Sequence, residues 1–223
     1  MRIALGSIFR NSSQYIPRYF EQVAKLESAL HGRHTLRLVL VEGDSTDDTW
    51  ELIKMFASEG DDISQLHHGG KVYGPMDHPQ RWVNISMVCN HLLERLTDKD
   101  EIFIYVESDL IWSVGTMTKL LAHLHAVDVV SPLCIGRDGC FYDTWGYRKD
   151  GQQFSKEKPY HPELAPAGLT EIDSAGSCIV MSGKVAHESR FNPPHLGIVG
   201  WCQDMHARGY THWLDGRLEV KHP

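Results

Sequence analysis

No apolar run in this 223-residue chain approaches the ~18 residues that a membrane span requires. The first apolar segment, Ile3-Ala4-Leu5, is also too short for the ~7–15-residue core of a signal peptide. Positive charge is scarce, with 22 Lys and Arg against 29 Asp and Glu and a net charge of −7. A generic grip on a nucleic-acid backbone is thereby disfavoured, since it needs clustered cations. The 14 histidines offset that balance only below their ordinary pKa of about 6.5. The cysteines number 5, an odd count with no CxxC pair, which argues against a disulfide framework or a zinc ribbon and favours a reducing compartment. Three catalytic signatures are missing as well. There is no GxxxxGK[ST] phosphate loop, no H-E-x-x-H zinc helix and no G-x-S-x-G elbow.

What is present is a folded α/β chain, 42% hydrophobic and 23% charged, of a length that suits one domain. Arg2 to Ser7 reads as a buried strand. A helix from about Gln14 to Leu30 follows, with Pro17 in its first turn and Tyr19, Phe20, Val23, Leu26 and Leu30 at helical spacing. Further strands are expected at Leu36–Val41, near Ile63–Leu66, at Ile102–Val106 and at Val127–Leu133. Helices are expected at 49–57, 81–96 and 115–125. This alternation predicts a mostly parallel sheet flanked by helices, with ligands at the carboxyl ends of its strands. Arg10, Glu42, Asp44, Glu107 and Asp109 fall at or just beyond such ends and are expected in one crevice.

The final third is less regular. Residues 136 to 170 mix Gly, Pro and aromatics and read as a long loop over the crevice. A strand at 177–181, a Pro/Gly loop at 191–200, a short helix at 203–208 and a closing hairpin or strand pair around Trp213-Leu214 and Leu218-Glu219-Val220 complete the chain.

Glu107-Ser108-Asp109 places two carboxylates directly after an apolar strand, a donor set suited to Mg²⁺ or Mn²⁺, or else a solvated turn. His222 offers an imidazole as a further ligand. Asp204 opens a helix, where its acid either meets the helix dipole or acts as a general base beside an acceptor hydroxyl. Arg10 and Arg81 suit bidentate phosphate contacts or the ordinary surface. Trp145 suits a sugar face or a core.

In the order of these segments the chain resembles glycosyltransferases of the GT-A fold. It resembles the fungal mannan-elongating mannosyltransferases in particular and family-2-like enzymes more loosely. Val41-Glu42-Gly43-Asp44-Ser45-Thr46-Asp47-Asp48-Thr49 is similar to their VDDGSTDGT turn, with Gly43 in place of the second acid. Glu107-Ser108-Asp109 stands where their DxD motif stands, with Glu leading. The resemblance implies a Rossmann-like fold with a nucleotide-binding half over residues 1–133 and an acceptor and metal-completing half over 134–223. It implies transfer of a sugar from a GDP- or UDP-linked donor to a hydroxyl on a protein, glycan, lipid-linked precursor or modified DNA base. By the same token Asp109 and His222 would hold Mn²⁺ or Mg²⁺. Ser7, Arg10, Glu42, Asp44, Arg81, Glu107 and Ser108 would meet the nucleotide sugar. Asp204 would be catalytic, with Asp143, Trp145, Asp173 and Trp201 as acceptor or sugar contacts. The missing anchor departs from the Golgi enzymes and points to a cytoplasmic bacterial or phage relative. Two other readings are a sugar nucleotidyltransferase, disfavoured because no Gly-rich loop follows the first strand, and a non-catalytic binding domain.

Overall fold

The computed structural model describes residues 1–71, 73, 78–161 and 168–223. Part of the loop expected over 136–170, residues 162–167, lies outside the described residues.

The first half alternates as its periodicity demands. Strands β1 (Arg2–Phe9), β2 (Thr35–Glu42), β3 (Asp62–Gln65) and β4 (Ile102–Val106) alternate with helices α1 (Ile16–Leu30), α2 (Thr49–Phe56) and α3 (Pro79–Glu94). Helix α4 (Val114–His123) and strand β5 (Val129–Ile135) follow. The loop at 136–170 carries a small hairpin, β6 (Arg148–Lys149) with β7 (Gln152–Gln153), and runs into β8 (Leu169–Ile172). The last third holds β9 (Cys178–Ser182), a helix that the sequence pattern does not predict, α5 (Gly183–Glu188), then α6 (Ile198–Ala207) and β10 (His212–Lys221).

Eight strands form one sheet in the order β3-β2-β1-β4-β9-β5-β10-β8. Alternate side chains on each strand feed two cores, as a pleated strand requires. Ile3, Leu5, Leu38, Leu40, Ile102 and Ile104 point to the face covered by α1, α2 and α4. Ala4, Val39, Val41, Phe103 and Tyr105 point to the opposite face, with Val88, Leu92 and Trp201. Each Val, Leu, Ile or Phe among them contributes about 1.5–3 kcal/mol when fully buried, relative to exposure.

Two departures from the expected topology decide where the site lies. Strand β9 runs antiparallel to both β4 and β5. Its leading end, at Ser177, therefore reaches the edge of the sheet where β1, β2 and β4 finish. The expected closing hairpin is instead one long strand: β10 runs parallel to β5, with a register shift between Asp215 and Glu219. A parallel final strand delivers its last residues to the same edge, so His222 arrives beside the turn that follows β4. No described helix is long and apolar enough to cross a membrane, and all five cysteines are unpaired.

Candidate active site at the carboxyl edge of the sheet

A cavity of about 500 Å³ opens at this edge, lined from β1, β4, α3, the 142–145 turn, the start of β9 and the segment after β10. Glu107, Ser108 and Asp109 stand in it beside Arg10, Arg81, Asp143, Trp145 and His222. The structure thus brings together eight of the residues singled out from sequence.

Asp109 is held by its backbone. Arg18 of α1 donates to its carbonyl. Gln22 donates to the Leu110 carbonyl at 3.1 Å and accepts from the Trp112 N–H at 2.9 Å. Paired N–H···O bonds between Ile111 and Lys221, 2.8 Å each, stitch this turn to the end of β10. As a result His222 Nε2 lies 3.0 Å from Asp109 Oδ2. The imidazole is held from behind as well: the Tyr142 ring stacks on it at 3.7 Å between centroids and 10° between planes. Both backbones hang from the end of β5, with Tyr142 N–H donating to Cys134 O and His222 N–H to Ile135 O, each at 2.9 Å.

The two remaining carboxylates are pressed inward. Burial, reinforced by Asp109 and Asp143, pushes Glu107 up to about 8. Burial also raises Asp143, against the Gly146 N–H at 2.8 Å and the Ser177 hydroxyl at 3.3 Å that favour its charged form. Gly146 and Gly176 leave room for this carboxylate. A Cβ on Gly176 would stand 1.7 Å from Asp143 Oδ2.

The residues fit a divalent cation. Asp109 Oδ1 is buried with no hydrogen-bond partner among the described residues, and its other oxygen already faces the His222 imidazole. No cluster of three or more His, Cys, Asp or Glu side chains with metal-binding geometry occurs among the described residues.

Six of the expected residues lie elsewhere. Glu42 is buried under its own turn, accepting from the Ser45 N–H at 2.5 Å and from Gln65 at 2.7 Å. Asp44 organises the following loop through His67 and the N–H groups of His68 and Gly70, 2.8 Å each. Ser7 is buried between the Tyr19 hydroxyl and the Val106 carbonyl, at 2.8 and 2.6 Å. Asp173 accepts from the Gly151 N–H at 2.6 Å, outside the cavity. Trp201 is fully buried, its indole N–H bonded to Ser189 at 2.7 Å. Asp204 is committed within its own neighbourhood, accepting from the Arg190 N–H and from Arg208, 2.8 Å each, and does not reach the cavity. Among the acids expected on the acceptor side, Asp143 is the one that lines the cavity.

Other lining residues carried no functional signal in sequence. Trp82 reads as part of the apolar stripe of α3, and Tyr142 sits in an irregular loop. His68 is buried beside Gly43, where the expected second acid is absent.

Comparison with known proteins places this architecture. Among solved structures, TarS (residues 1–349) from S. aureus matches at 15% identity and TM-score 0.58 over 99% of this chain and 60% of its own. A mannosyltransferase from Pyrobaculum calidifontis, in complex with GDP-Man and Mn²⁺, matches at 14% identity and TM-score 0.62 over 99% of this chain and 56% of its own. A glucosyl-3-phosphoglycerate synthase from Mycobacterium tuberculosis, in complex with Mg²⁺ and uridine diphosphate, matches at 16% identity and TM-score 0.56 over 100% of this chain and 71% of its own. At such identities the likeness is one of fold, the GT-A fold. The chain spans less than two thirds of the length of the first two. No curated protein sequence is significantly similar to it. The model of the family described as Glycosyl transferase family 2 matches residues 7–189, from the end of β1 through α5, and so takes in both the acid turn after β4 and the Asp143 turn. A match over that much of the chain makes the protein a member of glycosyl transferase family 2.

Proposed function

We propose that the chain is a metal-dependent transferase that moves a sugar from a nucleoside diphosphate donor to a hydroxyl acceptor. The observation that carries this reading is the 3.0 Å approach of Asp109 and His222 across the rim of a cavity that also holds Arg10 and Arg81. Breaking a sugar–phosphate bond leaves a diphosphate whose growing charge needs stabilisation, and a bound Mn²⁺ or Mg²⁺ supplies it. Asp109 and His222 would hold that ion, and Arg10 and Arg81 would meet phosphate oxygens through bidentate hydrogen bonds. Asp143 would face the acceptor hydroxyl. Burial moves its proton affinity toward the working pH, which is what a general base requires. In an inverting reaction it would take the acceptor proton, and in a retaining one it would orient the acceptor.

The donor base is guanine or uracil in this proposal. GDP-mannose accords with the resemblance to the fungal mannosyltransferases, and one structural neighbour was solved with GDP-Man, another with uridine diphosphate. The unpaired cysteines accord with a reducing, cytoplasmic setting in a bacterium or an infected host cell. A thermal-shift series with GDP and UDP, with and without Mn²⁺, tests the reading. A rise in melting temperature that needs nucleotide and metal together, and that disappears in Asp109→Ala, supports it. Equal shifts in that variant and the native chain would count against it.

A further inference from the structure

A second cavity, of about 480 Å³, lies between the start of α4 and the end of β10. The antiparallel bridge of Ile111 with Lys221 separates it from the first. Both of those residues line the second cavity, whereas Asp109 and His222 line the first. The second is lined by three cations, Lys119, Arg217 and Lys221, against one carboxylate, Glu219, in a chain of net charge −7. Strand period places Arg217, Glu219 and Lys221 on one face of β10. Lys119 and Lys221 are exposed and form no ion pair with any described residue. Arg217 is held by Asp215, which accepts from its Nε and Nη2 at 2.8 Å each, and its other N–H donors are left over.

Two neutral donors in the same lining have nothing to bond. The Ser113 hydroxyl caps α4 by accepting from the Thr116 N–H at 3.0 Å, which leaves the Gly115 N–H without a partner among the described residues. Lys119 stands one turn further along, four residues from Gly115 and on the same face of the helix. Trp112 is 5% exposed, and Gln22 fixes its backbone by accepting its N–H at 2.9 Å. Its indole Nε1 is nevertheless buried with no hydrogen-bond partner among the described residues. An unpaired buried donor is costly in a closed core, and an acceptor bound at the cavity wall removes that cost.

We infer that this second cavity binds a phosphate group, as inorganic phosphate or as a phosphomonoester. The inference goes beyond the transferase reading and stands without it. Lysine, guanidinium, helix-end and indole donors converge on one small volume, which matches a dianion with three terminal oxygens. A carboxylate brings two oxygens and a single charge, too few for this set. A metal ion meets three cations. A nucleic-acid strand spreads single charges along an extended backbone, while the cations here are confined to one cavity of an acidic chain. The same phosphate chemistry is offered by a soluble ester and by a phospholipid headgroup.

The indole of Trp112 provides the readout. In ¹⁵N–¹H spectra of the full chain, which has 6 tryptophans, the indole signal missing from Trp112→Phe is that of Trp112. At constant ionic strength, inorganic phosphate and glycerol 3-phosphate are expected to move this signal saturably. Affinity should fall about tenfold in Lys119→Gln and in Lys221→Gln, the worth of one hydrogen bond to a charged group. It should rise about threefold in Glu219→Gln, the scale of one exposed charge contact. The remaining indole signals, in place before titration, show that each variant is folded. Flotation with phosphatidylcholine vesicles containing phosphatidic acid separates the two sources. Flotation that needs both lysines assigns a lipid headgroup, and a phosphate response without flotation assigns a soluble ligand. A Trp112 signal indifferent to phosphate, with no lysine-dependent flotation, overturns the inference. So does a shift that survives both lysine substitutions, or one lost in Arg10→Gln, which would put the phosphate in the first cavity.

Discussion

His222 Nε2 lies 3.0 Å from Asp109 Oδ2, although one residue follows the last strand of the sheet and the other follows β4. The contact exists because β10 runs parallel to β5 and is bonded through Lys221 to Ile111. If the two side chains are ligands of one ion, removing either should cost much of its affinity. Asp109→Asn and His222→Ala are each expected to weaken Mn²⁺ binding about a hundredfold, read by electron paramagnetic resonance of free Mn²⁺ in the presence of nucleotide diphosphate. Unaltered binding in His222→Ala would show the pair to be an ordinary ion pair.

The Tyr142 ring, face to face with His222 at 3.7 Å, supports this imidazole from outside. Tyr142→Ala should lower Mn²⁺ affinity about tenfold, the usual effect of losing a group that orients a ligand, whereas Tyr142→Phe should keep it. Matching affinities for the Ala and Phe variants would remove the ring from that role.

Asp143 occupies the space that a side chain on Gly176 would need, 1.7 Å from Oδ2. Gly176→Ala should therefore displace the carboxylate and overfill a tight contact, at about 1–3 kcal/mol of stability by urea unfolding. Transfer activity should fall with it.

If Asp143, which lines the cavity, and not Asp204 faces the acceptor, the two acids should respond differently to substitution. Asp143→Asn is expected to lower turnover by about 10²–10⁴, the range for a missing general acid–base group. Asp204→Asn should keep most of the turnover and lose some thermal stability, because its carboxylate serves Arg190 and Arg208. The reverse ranking in a steady-state assay would return the acceptor role to Asp204.

Acid should destabilise the fold through His212. Burial, with a smaller contribution from His206, pushes its pKa down to about 3. The unfolded chain protonates this imidazole below about 6.5 while the folded chain does not. Between those values the unfolded state holds the extra proton, so stability falls as pH falls, by up to ~1.4 kcal/mol per pH unit for one such group. His212→Asn should melt lower at pH 7, since it loses the Ser131 bond at 2.9 Å, yet lose less on going to pH 5. Parallel pH profiles for the two proteins would assign the acid sensitivity elsewhere.

Much of the architecture was legible because hydrophobic periodicity reports burial directly. The strands from β1 to β5 and helices α1 to α4 fall within a few residues of where the pattern puts them. The direction of β9 was not legible, since a buried strand has the same side-chain period whichever way it runs. The continuous β10 was hidden because Asp215-Gly216-Arg217 separates its two apolar stretches, and an irregularity within one strand looks in sequence like a break between two. Within the site, acids were recognised by position at strand ends, but position does not say where a carboxylate points. Glu42 and Asp44 sit at such an end, but Glu42 is consumed by the Ser45 N–H of its own turn and Asp44 by the N–H groups of His68 and Gly70 in the loop after β3. Trp82 was hidden by its helix, where an apolar stripe and a cavity wall look alike.

The pairing of His212 with Val129 and of Lys221 with Ile135 joins distant stretches of chain. Contacts of such long range are slow to form, because the intervening loop must close before they repay its lost entropy. The proposed cation site draws on this pairing and on the still longer-range pairing of β1 with β4, so it is expected to form only once both have closed. In a stopped-flow experiment, uptake of Mn²⁺ should lag behind the recovery of helical ellipticity, so that the ion reports completed chain assembly and earlier collapsed forms stay silent to it.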